Sequence, residues 1–107
     1  MMRVSEEASE LLKALASSKR LMILCQLAEG ERSVGSLAKF LGANEATVSQ
    51  HLSILRREGL VKSRRENQTI FYDLKSAPAR AVLETLYGIY CGPLKNQSRP
   101  RKLGEAK

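Results

Sequence analysis

The chain has 107 residues, of which 43% are hydrophobic, so it can form one domain with a core but not separate cofactor and substrate lobes. Its 18 Lys and Arg residues outnumber 11 Asp and Glu, and the net charge of +7 favours an anionic partner, either nucleic acid or a membrane surface. The two cysteines, Cys25 and Cys91, are too few for a disulfide scaffold. Basic residues concentrate between Arg56 and Arg65 and after Pro93.

The N-terminal segment does not resemble a targeting signal. Glu6, Glu7 and Glu10 lie where a signal peptide needs an uncharged apolar stretch. The longest apolar run, Leu21–Cys25, has five residues, whereas a membrane-spanning helix needs about 20. The sequence therefore predicts a cytoplasmic protein with no membrane partner.

Two helices are predicted at the start of the chain. A stripe of three leucines predicts a first helix over residues 4–16, with glutamates near its N-terminal end. A second helix is predicted over residues 18–28, with Ser18 as its N-cap and Gly30 after its end. The leucine stripe consists of Leu11, Leu12 and Leu15.

The next two helices, joined by a tight glycine turn, predict a helix-turn-helix. The third helix is predicted over residues 34–41, with Gly42 ending it. The fourth is predicted over residues 45–58, with Asn44 as its N-cap and Gly59 after its end.

The hydrophobic period changes from helical to alternating after the fourth helix. Strands rich in β-branched and aromatic residues are predicted over 60–64 and 69–74, with a turn over 66–68. A last helix is predicted over residues 78–90. The element order is therefore ααααββα, a mainly α fold with a β-hairpin wing: a winged helix-turn-helix. One winged-helix domain is expected over residues 1–91, followed by a basic, disordered tail over 92–107.

The fourth helix has the polar pattern of a DNA recognition helix. Val48, Leu52 and Leu55 share one side of the helical wheel and are predicted to face the core. The opposite side carries short polar side chains that allow close approach to the major groove, and Gln50 can pair with an adenine edge. Glu45 has two interpretations: it accepts from a cytosine amino group, or it interacts with the positive end of the helix dipole.

Basic residues continue from this helix into the hairpin. Arg56 and Arg57 are positioned for phosphate contacts, and the wing arginines suit a minor groove or phosphates. For the charges taken alone, a solvated surface without a ligand is the alternative. The predicted DNA-binding residues are Asn44, Glu45, Thr47, Ser49, Gln50, His51, Ser53, Arg56, Arg57, Arg64, Arg65 and Gln68.

Several segments resemble the ArsR/SmtB family of bacterial winged-helix repressors, over about residues 10–91. The most telling segments are LLKALASSKRLMIL, SVGSLA, TVSQHLSILRREGLV and TIFYDL. The resemblance implies a homodimer, formed through the first and last helices, that binds double-stranded operator DNA and leaves it when an inducer binds.

The metal-sensing pattern of that family is absent from this sequence. Metal sensors carry a CxC motif where this chain has Ser33-Val34-Gly35, or Asp and His ligands on the last helix, where residues 77–91 contain neither. The only histidine is His51, whereas zinc needs about four good ligands. No metal site and no cofactor are therefore expected, although a metal-responsive repressor is kept as an alternative.

The two cysteines resemble those of one branch, the sulfide- and persulfide-responsive repressors of the BigR and SqrR type with the HlyU-like regulators. Cys25 follows LMIL, and Cys91 ends YGIYC. The resemblance implies a dithiol switch: reactive sulfur species or an oxidant bridges the two sulfurs, and the dimer releases DNA. The alternative is a regulator with inert cysteines, in which Cys25 packs in a core row with Leu21 and Ala28. No catalytic triad, carboxylate pair or phosphate loop is recognisable, so an enzyme is not expected.

Overall fold

The structure, a computed structural model, describes residues 2–91, and the predicted tail over 92–107 lies outside this range. The chain divides into two compact units, the first ending at Ser76 and the second starting at Ala77. The elements are α1 (Met2–Leu15), α2 (Ser18–Glu29), β1 (Arg32–Ser33), α3 (Val34–Leu41), α4 (Glu45–Arg57), β2 (Val61–Glu66), β3 (Thr69–Leu74) and α5 (Ala77–Cys91). The predicted winged-helix fold is confirmed.

The first two helices differ in detail from the prediction. Because α1 begins at Met2, its first turn contains no acidic residue, and the glutamates lie further along the helix. Leu12 does not belong to the buried stripe, since 59% of it is exposed. Ser17, rather than Ser18, is the N-cap of α2: its backbone is extended, and its hydroxyl accepts a hydrogen bond from the Arg20 N–H at 3.3 Å. Ser18 is already helical.

The turn between α3 and α4 is built by its predicted glycine and asparagine. Gly42 has a left-handed backbone with φ of 66°, a conformation that disfavours residues with a Cβ. This lets the Ala43 N–H reach back to the Ala38 carbonyl at 3.1 Å and close the end of α3. Asn44 then starts α4, because its Oδ1 accepts a hydrogen bond from the Thr47 N–H at 2.8 Å.

The wing belongs to a three-stranded antiparallel sheet in the order β1-β3-β2. β2 runs to Glu66, two residues further than predicted, so only Asn67 and Gln68 form the turn. Asn67 has a positive φ of 59°, which an asparagine tolerates better than most residues. β1 was not predicted, since its two residues form a strand only through their pairing with β3.

The first unit has a core of aliphatic side chains. The predicted inner side of α4 is confirmed, since Val48, Leu52 and Leu55 have no exposed surface. They hold α4 against α2, α3 and β2, which also contribute to the core. The largest fully buried side chains are Ile23, Leu24, Leu27, Leu37, Leu52, Leu55, Val48 and Val61.

The second unit is described only as α5. This helix starts at Ala77, with Pro78 in its first turn as expected. It buries Ala79, Leu83 and Cys91. Within residues 2–91, no helix is long and apolar enough to span a membrane.

Candidate nucleic-acid interface and cysteine pair

The outer side of α4 presents short polar side chains to solvent. Ser49, Gln50 and Ser53 are exposed, and the buried aliphatic side holds the helix with this face outward. Such a surface can approach base edges, and its glutamine offers both a donor and an acceptor.

Two exposed arginines, Arg56 and Arg57, form the last turn of α4. Gly59, with a positive φ of 80°, reverses the chain directly afterwards. The Leu60 N–H then donates to the Leu55 carbonyl at 2.9 Å, which closes the helix and directs the chain into β2. The arginines therefore lie where the recognition helix meets the wing.

A cleft separates the start of α4 from the tip of the wing. Three of the predicted DNA-binding residues, Glu45, Ser49 and Gln68, line it. Sequence reasoning did not predict this cleft, because it depends on the packing of α3 and the wing around α4. The lining residues are Ser33, Val34, Gly35, Glu45, Ser49, Gln68, Thr69 and Ile70.

Glu45 lies close to two helix N-termini. It occupies the first turn of α4, and its Oε2 lies 3.3 Å from the point where a Cβ on Gly35 would stand. The carboxylate thus also approaches the first turn of α3. This geometry favours the helix-dipole interpretation over the cytosine contact.

The two wing arginines differ in their surroundings. The Arg64 guanidinium donates from Nε and Nη2 to the Glu31 carboxylate at 2.8 and 2.9 Å, and from Nη1 to Glu66 at 3.1 Å. It also lies over the Phe71 ring, 4.7 Å from the centroid. The Arg65 side chain is exposed, and no hydrogen bond or ion pair is formed by it within residues 2–91. The sequence alone does not distinguish the two arginines and predicts a DNA contact for both.

Arg64 and Glu31 stabilise each other's charged forms. Hydrogen bonding from Arg64 lowers the pKa of Glu31, with further lowering by the charges of Arg64 and Lys62, although partial desolvation opposes it. Hydrogen bonds to Glu31 and Glu66 raise the pKa of Arg64. The pair is therefore fully ionised at neutral pH.

His51 lies on the flank of α4 rather than with its exposed polar residues. It is half-buried, and its Nδ1 is buried without a hydrogen-bond partner among the described residues. Burial lowers the pKa of this imidazole, and the positive charges of Arg20 and Lys19 lower it further. His51 is thus held neutral at pH 7 beside the start of α2.

The two cysteines are both thiols, one in each unit. Cys25 is half-buried in α2, and Cys91 is the buried last residue of α5. The predicted row of Cys25 with Leu21 and Ala28 is only partly buried, so it is not the core row of α2. The buried row consists of Ile23, Leu24 and Leu27.

Two further features bear on the predictions for partners and metals. Both α1 and α5 expose large apolar side chains. Residues 2–91 contain no group of three or more His, Cys, Asp or Glu side chains arranged to hold a metal ion. The exposed apolar residues of these helices are Met2, Val4, Leu12, Ile89 and Tyr90.

A helix-turn-helix with a polar recognition face and a basic wing defines the class of DNA-binding transcriptional regulators. Residues 17–63 match the sequence family described as bacterial regulatory protein, arsR family. The chain belongs to the ArsR family of transcriptional regulators.

Characterised relatives align over most of the chain. The sequence is 47% identical over 91 residues to the transcriptional activator HlyU of Vibrio cholerae, covering 85% of this chain and 84% of HlyU. It is 45% identical over 96 residues to the biofilm growth-associated repressor of Agrobacterium fabrum, covering 90% of this chain and 82% of the repressor.

Solved structures of relatives have the same fold. Reduced HlyU from Vibrio cholerae superimposes with a TM-score of 0.82 at 47% identity, covering 85% of this chain and 96% of HlyU. The repressor BigR from Xylella fastidiosa gives a TM-score of 0.79 at 43% identity, covering 85% of this chain and 93% of BigR.

Proposed function

We propose that this regulator is a homodimeric repressor that binds operator DNA while Cys25 and Cys91 are reduced and releases it when they are bridged. The observation that carries the proposal is a helix-turn-helix whose second helix exposes a polar face, in a chain with only two cysteines, both thiols. Their sequence contexts match the reactive-sulfur-responsive branch of the family. The relatives include a repressor and a structure of HlyU in its reduced form.

The DNA-binding part of the proposal assigns separate roles to the polar and basic groups. α4 enters the major groove, where Gln50 reads base edges. Arg56, Arg57 and the wing residue Arg65 contact phosphates, which position the protein without specifying sequence. The exposed polar face of α4 and the arginines at its end support this division.

The dimer covers the apolar surfaces of α1 and α5. Ile89 and Tyr90 are each 65% exposed, and Met2 is 74% exposed, which is unfavourable in water for side chains of this size. A second copy of the chain removes them from solvent. A relative from Mycobacterium bovis, 32% identical with a TM-score of 0.74, is a homodimeric winged helix-turn-helix domain.

The switching chemistry is an oxidation of the two thiols. In a plain disulfide, Cys25 and Cys91 lose two protons and two electrons to an oxidant as the S–S bond forms. In a longer bridge, one persulfide transfers its outer sulfur to one cysteine and leaves as a thiol. A second persulfide then accepts the two electrons as the bridge closes, and leaves as a thiol and hydrogen sulfide.

The bridge acts by joining α2 to the end of α5. A plain disulfide holds two Cα atoms about 4.4–6.8 Å apart, and added sulfur atoms relax this limit. Because α2 packs against α4, and α5 contributes to the proposed dimer, the bridge changes the angle between the two recognition helices. They then no longer match half-sites about 34–36 Å apart. A tenfold release needs a change of only about 1.4 kcal/mol in binding free energy.

Serine variants test the switch. Cys25→Ser and Cys91→Ser should each bind operator DNA as the reduced wild type does, because neither removes a DNA contact. Neither should release DNA on persulfide treatment, measured by fluorescence anisotropy. A single variant that stayed fully inducible would exclude the intramolecular bridge and favour inert cysteines.

A further inference from the structure

We propose that the adjacent wing arginines have different roles: Arg65 contacts a DNA phosphate, whereas Arg64 is a positioning residue that holds the wing through Glu31. This inference rests on the proposed DNA binding. It departs from the sequence-based expectation that both arginines contact DNA.

Each of the three nitrogens of the Arg64 guanidinium donates a hydrogen bond. Nε and Nη2 form a two-pronged pair with the Glu31 carboxylate, and Nη1 binds Glu66. The plane of the group lies over Phe71, which further restricts its orientation. Turning the Arg64 guanidinium towards a phosphate breaks contacts with two carboxylates and a ring, whereas the Arg65 side chain has no hydrogen bond or ion pair to break within residues 2–91.

The sheet register places the two arginines on opposite faces. Arg64 pairs with Phe71 and Arg65 with Ile70, and successive strand residues point to opposite sides. By the same alternation, Arg65 shares its face with Val61, Tyr72 and Leu74, which are buried, so Arg65 lies on the face of the sheet that packs on the core with α4. Arg64 lies on the other face.

The Glu31–Arg64 pair spans the full width of the sheet. Glu31 directly precedes β1, and Arg64 lies in β2, with β3 between these strands. A hairpin on its own is held mainly by its backbone ladder and is marginally stable. The pair therefore fixes the outer strand of the wing to the body of the unit and sets where Arg65 meets DNA.

Charge alone and positioning predict opposite effects for one substitution. Glu31→Gln removes a negative charge near the wing, so through-space electrostatics predicts tighter binding to DNA. Loss of the pair instead lets the wing move and predicts weaker binding. Glu29→Gln is the matched control, because it removes the same charge from another exposed pair, with Arg32 at 3.3 Å.

The experiment measures binding of the full reduced chain to a random-sequence duplex of about 30 base pairs, over a series of salt concentrations. Arg65→Gln should reduce the slope of log affinity against log salt by about one. Arg64→Gln and Glu31→Gln should weaken binding about threefold with the slope unchanged, as expected for one exposed pair. Glu29→Gln should not weaken binding. A Glu31→Arg, Arg64→Glu double variant should bind better than Arg64→Glu alone, and circular dichroism checks that each variant folds.

Two results would overturn the inference. One is tighter binding by Glu31→Gln, equal to that of Glu29→Gln. The other is an Arg64→Gln slope reduced by one, as for a phosphate contact. If the wild type bound no duplex, the proposed DNA binding itself would fall, and the inference with it. Wild-type binding combined with tighter binding by Glu31→Gln would reject only the positioning role.

Discussion

Removing the N-cap of the recognition helix should destabilise the protein by an amount set by one hydrogen bond. Asn44 Oδ1 accepts a hydrogen bond from the Thr47 N–H at 2.8 Å, and no other side chain among residues 2–91 caps this end of α4. Asn44→Ala should therefore lower the free energy of unfolding by about 1 kcal/mol, within a range of roughly 0.5–2. This corresponds to a fall in Tm of about 4–8 °C for a domain of this size.

The matched variant is Asn44→Ser, which keeps an oxygen acceptor at the cap. It should recover most of the stability lost in Asn44→Ala, since serine is also a good N-cap. Urea unfolding followed by circular dichroism, at one protein concentration because dimerisation shifts apparent stability, measures both variants. An alanine variant as stable as the wild type, or a serine variant as unstable as the alanine one, would refute the capping role.

Three further outcomes are expected. Leu52→Ala should lower the free energy of unfolding by about 2–5 kcal/mol in urea, because its side chain has no exposed surface; a loss below 1 kcal/mol would contradict its core position. Gln50→Ala should lose about 1–3 kcal/mol of preference for operator over random DNA in competition binding, and equal loss on both would show that it does not read bases. The pKa of His51 is lower in the folded state than its ordinary value of 6.5, so protonation of this imidazole favours the unfolded chain. The free energy of unfolding should therefore be at its full value above pH 6.5 and should fall as the pH drops through the folded-state pKa. His51→Gln should flatten this acid limb, and an unchanged limb in that variant would contradict the assignment.

The helix-turn-helix could be predicted because its signals are local. The backbone of Gly42, the side chain of Asn44 and the spacing of Val48, Leu52 and Leu55 each act within a few residues of the chain. Such features are determined by conformational preferences and helical periodicity, so the structure agrees with them closely.

The contacts that the sequence did not predict are distant or depend on small backbone differences. Glu31 and Arg64 are 33 residues apart, and no spacing rule indicates that they meet. β1 exists only because β3 pairs with it. Ser17 is the N-cap of α2 instead of the predicted Ser18, because Ser17 is the one of these two adjacent serines that has an extended backbone.

In the candidate site, too, some features follow from the local sequence and others depend on tertiary contacts. The exposed face of α4 follows from the helical wheel, whereas the inward position of His51 depends on how α4 packs against the start of α2. For Glu45, the sequence left two interpretations open, and the approach to Gly35 that favours one of them is a tertiary contact.

The most direct test of the proposed switch is operator binding by the pure protein before and after persulfide treatment, with mass spectrometry of the product. Selection of bound sequences from a random duplex library supplies the operator. We predict at least a tenfold loss of operator affinity, together with a peptide in which Cys25 and Cys91 are joined by a disulfide or a longer sulfur chain. Reversal by a thiol reductant is the control. Full operator binding by protein in which the Cys25–Cys91 bridge has formed would contradict the account.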